Sequence, residues 1–120
     1  MSGQLTPNQV VSHLAALSLR LDEVTEELNR ADEEATELRG YATVANSEAF
    51  LRAEGAMDLR KHKAIVETHE LRFAAELAEQ KVRGLTRSQK TLMARIEVGR
   101  STGAAVRSDI SLAGSGVHGA

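Results

Sequence analysis

The chain has 120 residues, with 15 Lys and Arg against 17 Asp and Glu, so its formal net charge is −2. It has no Cys, no Trp and one Pro, and 2% of its residues are aromatic against 42% hydrophobic. Such a length allows one small domain, the missing Cys excludes a disulfide framework, a thiolate zinc site and a thiol nucleophile, and so few rings leave little to anchor a sandwich core or stack bases. Much of the apolar fraction is Ala, which buries little area per residue. The composition therefore predicts helices that need partners rather than a self-sufficient globule. No run approaches the roughly 20 apolar residues that span a bilayer, and Met1 to Gln9 lacks the basic and apolar regions of a signal peptide. These features predict a soluble, cytoplasmic protein with no membrane contact.

After an N-terminal arm, residues 1–5, the first helix has a defined start. Thr6 is placed as N-cap, Pro7 takes the first helical position, and Gln9 stands three residues after Thr6. That is a capping box, with Pro where its missing N–H costs nothing. Leu5 and Val10 hold the two positions of a hydrophobic staple. From there Val10, Leu14, Leu17, Leu21, Val24, Leu28, Ala31, Ala35 and Leu38 step by fours and threes. The spacing predicts a heptad helix over 6–39, either a coiled coil or an amphipathic helix folded onto its own chain. A lone chain would leave several of these residues wet. Leu14, Leu17, Leu21, Val24 and Leu28 are therefore the predicted oligomer seam, in a dimer or higher homo-oligomer.

Gly40, Tyr41, Asn46-Ser47 and Gly55 interrupt the pattern, and a break is expected within 40–57. A second long amphipathic helix is predicted over 58–98, with the stripe Leu71, Ala75, Ala78, Val82, Leu85, Gln89, Leu92 and Ile96. Gln89 is its one polar member, a residue that either specifies register or lies at the stripe's edge. Gly99 is placed to end that helix. Ser101 or Thr102 then caps a short third helix over 99–112, and the tail 113–120 reads as disordered. The expected fold class is all-α: two long amphipathic helices with coiled-coil character, a short C-terminal helix and a loose tail.

The near-neutral charge hides an asymmetry. Residues 1–50 hold three bases and nine acids, a net of −6, whereas residues 51–120 hold twelve bases and eight acids, a net of +4. Asp22, Glu23, Glu26, Glu27, Asp32, Glu33, Glu34 and Glu37 crowd one stretch, with only Arg30 among them. Lys81, Arg83, Arg87, Lys90, Arg95, Arg100 and Arg107 crowd another. Either the two stretches set helix pairing, or the basic one faces phosphate. At 100° per residue Arg83, Arg87 and Lys90 fall within about 60° of one another, away from Val82, Leu85 and Leu92. Arg83, Arg87, Lys90, Arg95, Arg100 and Arg107 are thus the candidate nucleic-acid contacts, with salt-dependent, sequence-independent binding expected.

Nothing points to catalysis, to a cofactor or to a small-molecule substrate. His69-Glu70 begins like a zinc-protease motif, but Phe73 stands where the second histidine belongs. His62 and His69 are seven apart and lack a carboxylate at ligand spacing, so no metal site is expected. Gly99-Arg100-Ser101-Thr102-Gly103 either offers backbone N–H groups to a phosphate or forms a helix joint. There is no P-loop, dinucleotide fingerprint or nucleophile elbow. A non-enzyme is predicted.

The stretch from Met57 to Leu112 resembles a group of small helical proteins from phages of actinobacteria. The likeness rests on Met57-Asp58-Leu59-Arg60-Lys61, on Ala74 to Val82, on Ile96-Glu97-Val98-Gly99-Arg100-Ser101 and on Ala105-Val106-Arg107. In size, helix layout and basic content the chain also looks like the UvsY-type recombination mediators of phages. Those resemblances imply a phage accessory protein in the host-cell cytoplasm, oligomeric and bound to single-stranded DNA and recombination proteins. The alternatives are an adaptor or assembly factor without nucleic-acid contact, and an inhibitor that mimics DNA through its acidic stretch.

Overall fold

The computed structural model describes residues 5–118. Three helices fill that span: α1, Pro7–Arg52; α2, Met57–Glu67; and α3, His69–His118. There is no strand among the described residues, and the fold is all-α. No helix among them is long and apolar enough to cross a membrane. The expected N-terminal arm, apart from Leu5, lies outside the described residues.

The capping box at the start of α1 is formed in both directions. Thr6 N–H donates to Gln9 Oε1 at 2.8 Å, and Gln9 N–H donates to Thr6 Oγ1 at 3.2 Å. Two donors that the first turn would orphan are thereby satisfied. α1 then runs through Gly40 and Asn46-Ser47 without a break. Beyond its own helical turn, Gly40 has no atom within 4 Å of where a Cβ would stand, so the helix bears only glycine's propensity cost of about 1 kcal/mol.

The expected break within 40–57 falls at residues 53–56. Gly55 makes it possible with φ +112, a conformation that side chains strongly disfavour. Cations of α2 reach back to carbonyls in the last turn of α1 and in the turn that follows it. Arg60 donates to Phe50 O at 3.1 Å with its guanidinium 4.4 Å from the Phe50 ring centre, and Lys63 donates to Glu54 O at 2.9 Å. Positive charge at a helix C-terminus also complements the dipole there.

The sequence predicts one helix over 58–98; the structure interrupts it at Thr68, with φ −103 and ψ 13. The buried Thr68 hydroxyl donates to Ala64 O at 2.7 Å, a back-bond that bends helices. Thr68 N–H still donates to Ala64 O and Thr68 O accepts from Arg72 N–H, so the joint residue is bonded to both helices. Ala64, Thr68 and Ala75 are all buried, so α2 and α3 bury one continuous side.

At the other end, α3 does not stop at Gly99 and forms no separate helix over 99–112. It continues to His118, so residues 113–118 of the expected disordered tail are helical; residues 119–120 lie outside the described residues. Extending a formed helix fixes one residue per hydrogen bond, so Gly99 and Gly103 do not break it.

The chain divides into two units, one from Met1–Thr25 and Arg87–Ala120, the other Glu26–Thr86. In the first unit Val10, Leu17 and Val24 of α1 are buried, as are Leu92, Ile96, Gly99 and Gly103 of α3. Val10 lies beside Gly103, Leu14 beside Gly99 and Thr25 beside Gln89, so the two helix segments run antiparallel. Gln89 belongs to this seam: its Nε2 donates to Thr25 Oγ1 at 3.0 Å. In the second unit the buried positions are mostly alanine: Ala31, Ala35, Ala42 and Ala49 of α1, Ala64 and Thr68 at the end of α2, and Ala75 of α3. Ion pairs from Arg39 to Glu79, at 2.8 Å, and from Arg52 to Glu67 show that its helices also pack antiparallel.

Of the predicted oligomer seam, Leu17 and Val24 are buried within a single chain, and Leu14, Leu21 and Leu28 are half-buried. The premise that a lone chain leaves these residues wet is thus corrected. The heptad face of α1 in the first unit is met by α3 of the same chain.

Candidate functional site

The first unit carries a cleft of about 580 Å³ beside its seam. Leu5, Val10, Ala94, Val98 and Gly99 make it apolar, and His13 and Arg95 stand among its lining residues. The glycines of α3 explain its shape. A Cβ on Gly99 would come within 2.6 Å of Leu14 Cδ2, and one on Gly103 within 3.1 Å of Val10 Cγ1. These contacts let α1 approach the α3 backbone closely. Val98 is left exposed next to Gly99. The predicted staple pair also lies here, with Val10 buried and Leu5 exposed at the cleft.

The six predicted phosphate contacts all lie on α3. All are exposed. Arg83 belongs to the second unit and the other five to the first. Arg87 and Lys90 lie within about 60° of each other on α3, opposite the buried Leu92 and Ile96. Arg95 lines the apolar cleft. Arg100 donates to Glu97 at 2.9 Å, and Arg107 Nη1 lies 3.7 Å from where a Cβ on Gly103 would stand. Among the described residues, Arg83, Arg87, Lys90, Arg95 and Arg107 make no ion pair. The cross-helix pairs Arg39–Glu79 and Arg52–Glu67 involve neither the acidic stretch 22–37 nor the basic stretch 80–107.

The second unit has a cleft of about 550 Å³ with mixed charge, lined in part by Arg39, Asn46, Ser47, Lys61, Arg72 and Glu76. Asn46 Oδ1 and Arg60 Nε are buried without a hydrogen-bond partner among the described residues. Among the described residues no three His, Asp or Glu gather to hold a metal ion.

Sequence reasoning missed the outer face of α2 and α3 in this unit. Leu59, Val66, Phe73 and Leu77 are 50%, 76%, 53% and 50% exposed. At 100° per residue they fall within about 40° of one another, on the side opposite Ala64, Thr68 and Ala75. Their spacing of sevens and a four was present in the sequence. It went unread because Leu71, Ala75 and Ala78 begin a competing stripe. Leu71 is itself 41% exposed.

No family model, curated protein or solved structure matches the chain.

Proposed function

We propose that this chain is a non-catalytic adaptor or assembly protein, built on antiparallel helix pairs of coiled-coil character and binding a partner protein through the cleft of its first unit. The carrying observation is that cleft: an apolar trough left open between α1 and α3, with Arg95 and His13 beside it. A concave apolar surface with a few polar groups is the usual form of a binding site. The fitting partner is an amphipathic helix whose apolar residues lie on Val98 and Leu5 and whose flanking acid meets Arg95. Val98 supplies the test, because it is exposed and contributes little to the fold. Proteins recovered from a host lysate by the wild type are expected to be lost with Val98→Asp at unchanged helical circular dichroism. Recovery of the same set by both would sink the reading.

A second reading is favoured by Arg87 and Lys90, which make no ion pair among the described residues. The first unit holds six bases against four acids, a net of +2, while the second holds nine against thirteen, a net of −4. In this reading the chain is an oligomeric phage accessory protein of recombination or replication that holds single-stranded DNA electrostatically. Affinity for labelled single-stranded DNA would then fall steeply between two salt concentrations, and Arg87→Glu with Lys90→Glu would abolish it. No binding at low salt removes this reading and leaves the adaptor.

A further inference from the structure

We propose that a second copy of this chain docks on the outer apolar face of the second unit, forming a two-fold dimer centred on Val66. Leu59, Val66, Phe73 and Leu77 make an unpartnered stripe along α2 and α3, opposite the face those helices bury. From 59 to 77 the stripe is roughly 27 Å long at 1.5 Å per residue. His69 stacks against Phe73, with ring centres 6.2 Å apart, and so helps to hold that ring in place. Monomers seldom leave such a row of large apolar residues uncovered, and a row of this kind marks an interaction surface.

The charges beside the stripe select the occupant. Arg60, Glu67 and Glu79 are engaged with α1, and Lys61, Arg72 and Glu76 line the inner cleft, so Lys63 and Glu70 are the charges that flank the stripe. A copy laid antiparallel about Val66 brings these two opposite each other. In that arrangement Leu59 faces Phe73 of the second copy, and Val66 faces Val66. Lys63 and Glu70 lie within about 20° of each other on one flank of the stripe, so each faces its opposite in the other copy. The Lys63 ammonium uses one hydrogen on Glu54 O and keeps two. Glu70 makes no ion pair among the described residues. Leu59, Val66 and Phe73 and the Lys63–Glu70 pair are matched under one rotation, as an isologous interface requires, and Leu77 lies beyond the matched span.

Sedimentation equilibrium of the full chain at micromolar concentrations tests this. The wild type is expected to dimerise, and Val66→Asp to be monomeric with unchanged helical circular dichroism. Lys63→Glu should weaken association about tenfold by facing Glu70 with a like charge. Adding Glu70→Lys to it should restore most of the loss. Neither exchange touches a buried residue, but Lys63→Glu also removes the bond to Glu54 O, so the restoration by Glu70→Lys, which cannot replace that bond, is what reads the interface even if Val66→Asp disturbs the fold. A monomeric wild type, a dimer indifferent to Val66→Asp, or a double exchange no better than the single one overturns the proposal. Val98→Asp is expected to leave the dimer intact, so failure of the cleft and failure of this face are read separately.

Discussion

The two units pack their helices with different side chains. In the first, Val10, Leu17 and Val24 meet a segment carrying Leu92, Ile96 and two glycines, so large residues fit where the opposing backbone is bare. In the second, alanines line the buried faces of all three helices, and Leu59, Val66, Phe73 and Leu77 of α2 and α3 point outward. Full burial of a Val or Leu contributes roughly 1.5–3 kcal/mol, and an Ala much less. The second unit adds polar clamps: Arg60 and Lys63 on carbonyls, and the exposed pairs of Arg39 and Arg52. Exposed ion pairs contribute up to about 1 kcal/mol each. The difference teaches that one heptad phase can either consume its large residues internally or hold them for a partner.

The sharpest way to break this comparison is truncation. Leu92→Ala removes a buried seam residue and should destabilise by about 3 kcal/mol. Leu77→Ala, half exposed on the outer stripe, should cost under about 1 kcal/mol in a monomer. Urea unfolding followed by circular dichroism measures both. Equal losses would mean that the internal seam and the outer stripe are not energetically distinct.

Overfilling tests the alanine seam from the other side. Ala49 is 1% exposed, and Ala49→Leu should cost about 2 kcal/mol because its helix pair has no room for three more carbons. A neutral result would show that the second unit's helices can part to admit a larger residue, and the close packing assigned to it would be wrong.

How far the fold could be read in advance depends on which interactions are local. The capping box lies within four residues, so Thr6, Pro7 and Gln9 announced it fully. The heptad face of α1 was equally legible, since Val10, Leu17, Val24, Ala31 and Ala35 are all buried. Its partner was not: pairing with α3 spans 64 residues between Thr25 and Gln89, and no local pattern encodes it. Gly40, Gly55 and Gly99 look alike in sequence, yet only Gly55 takes a positive φ. What separates them is what surrounds each one. The basic residues were legible as a cluster in sequence, and so was the face that Arg83, Arg87 and Lys90 share, whereas the residues that α3 buries against α1 follow from that long-range pairing.

That contrast between glycines also gives the finest test. Gly40 and Gly99 both lie inside helices, and replacing either with Ala removes glycine's propensity cost of about 1 kcal/mol. At Gly40 nothing opposes the gain, because no atom beyond its own helical turn lies within 4 Å of the new Cβ. Gly40→Ala should therefore stabilise by about 1 kcal/mol and raise Tm by roughly 4 °C. At Gly99 the new Cβ would stand 2.6 Å from Leu14 Cδ2, the tip of a flexible side chain that must turn aside. An off-rotamer shift of that kind costs about 1 kcal/mol, so Gly99→Ala should leave Tm nearly unchanged. Thermal melts of the two variants side by side isolate the cost of close approach in the first unit. If both rise equally, Leu14 yields freely and Gly99 is not needed for the cleft's shape; if Gly99→Ala falls by several degrees, the backbone rather than the Leu14 tip sets the spacing of the two helices.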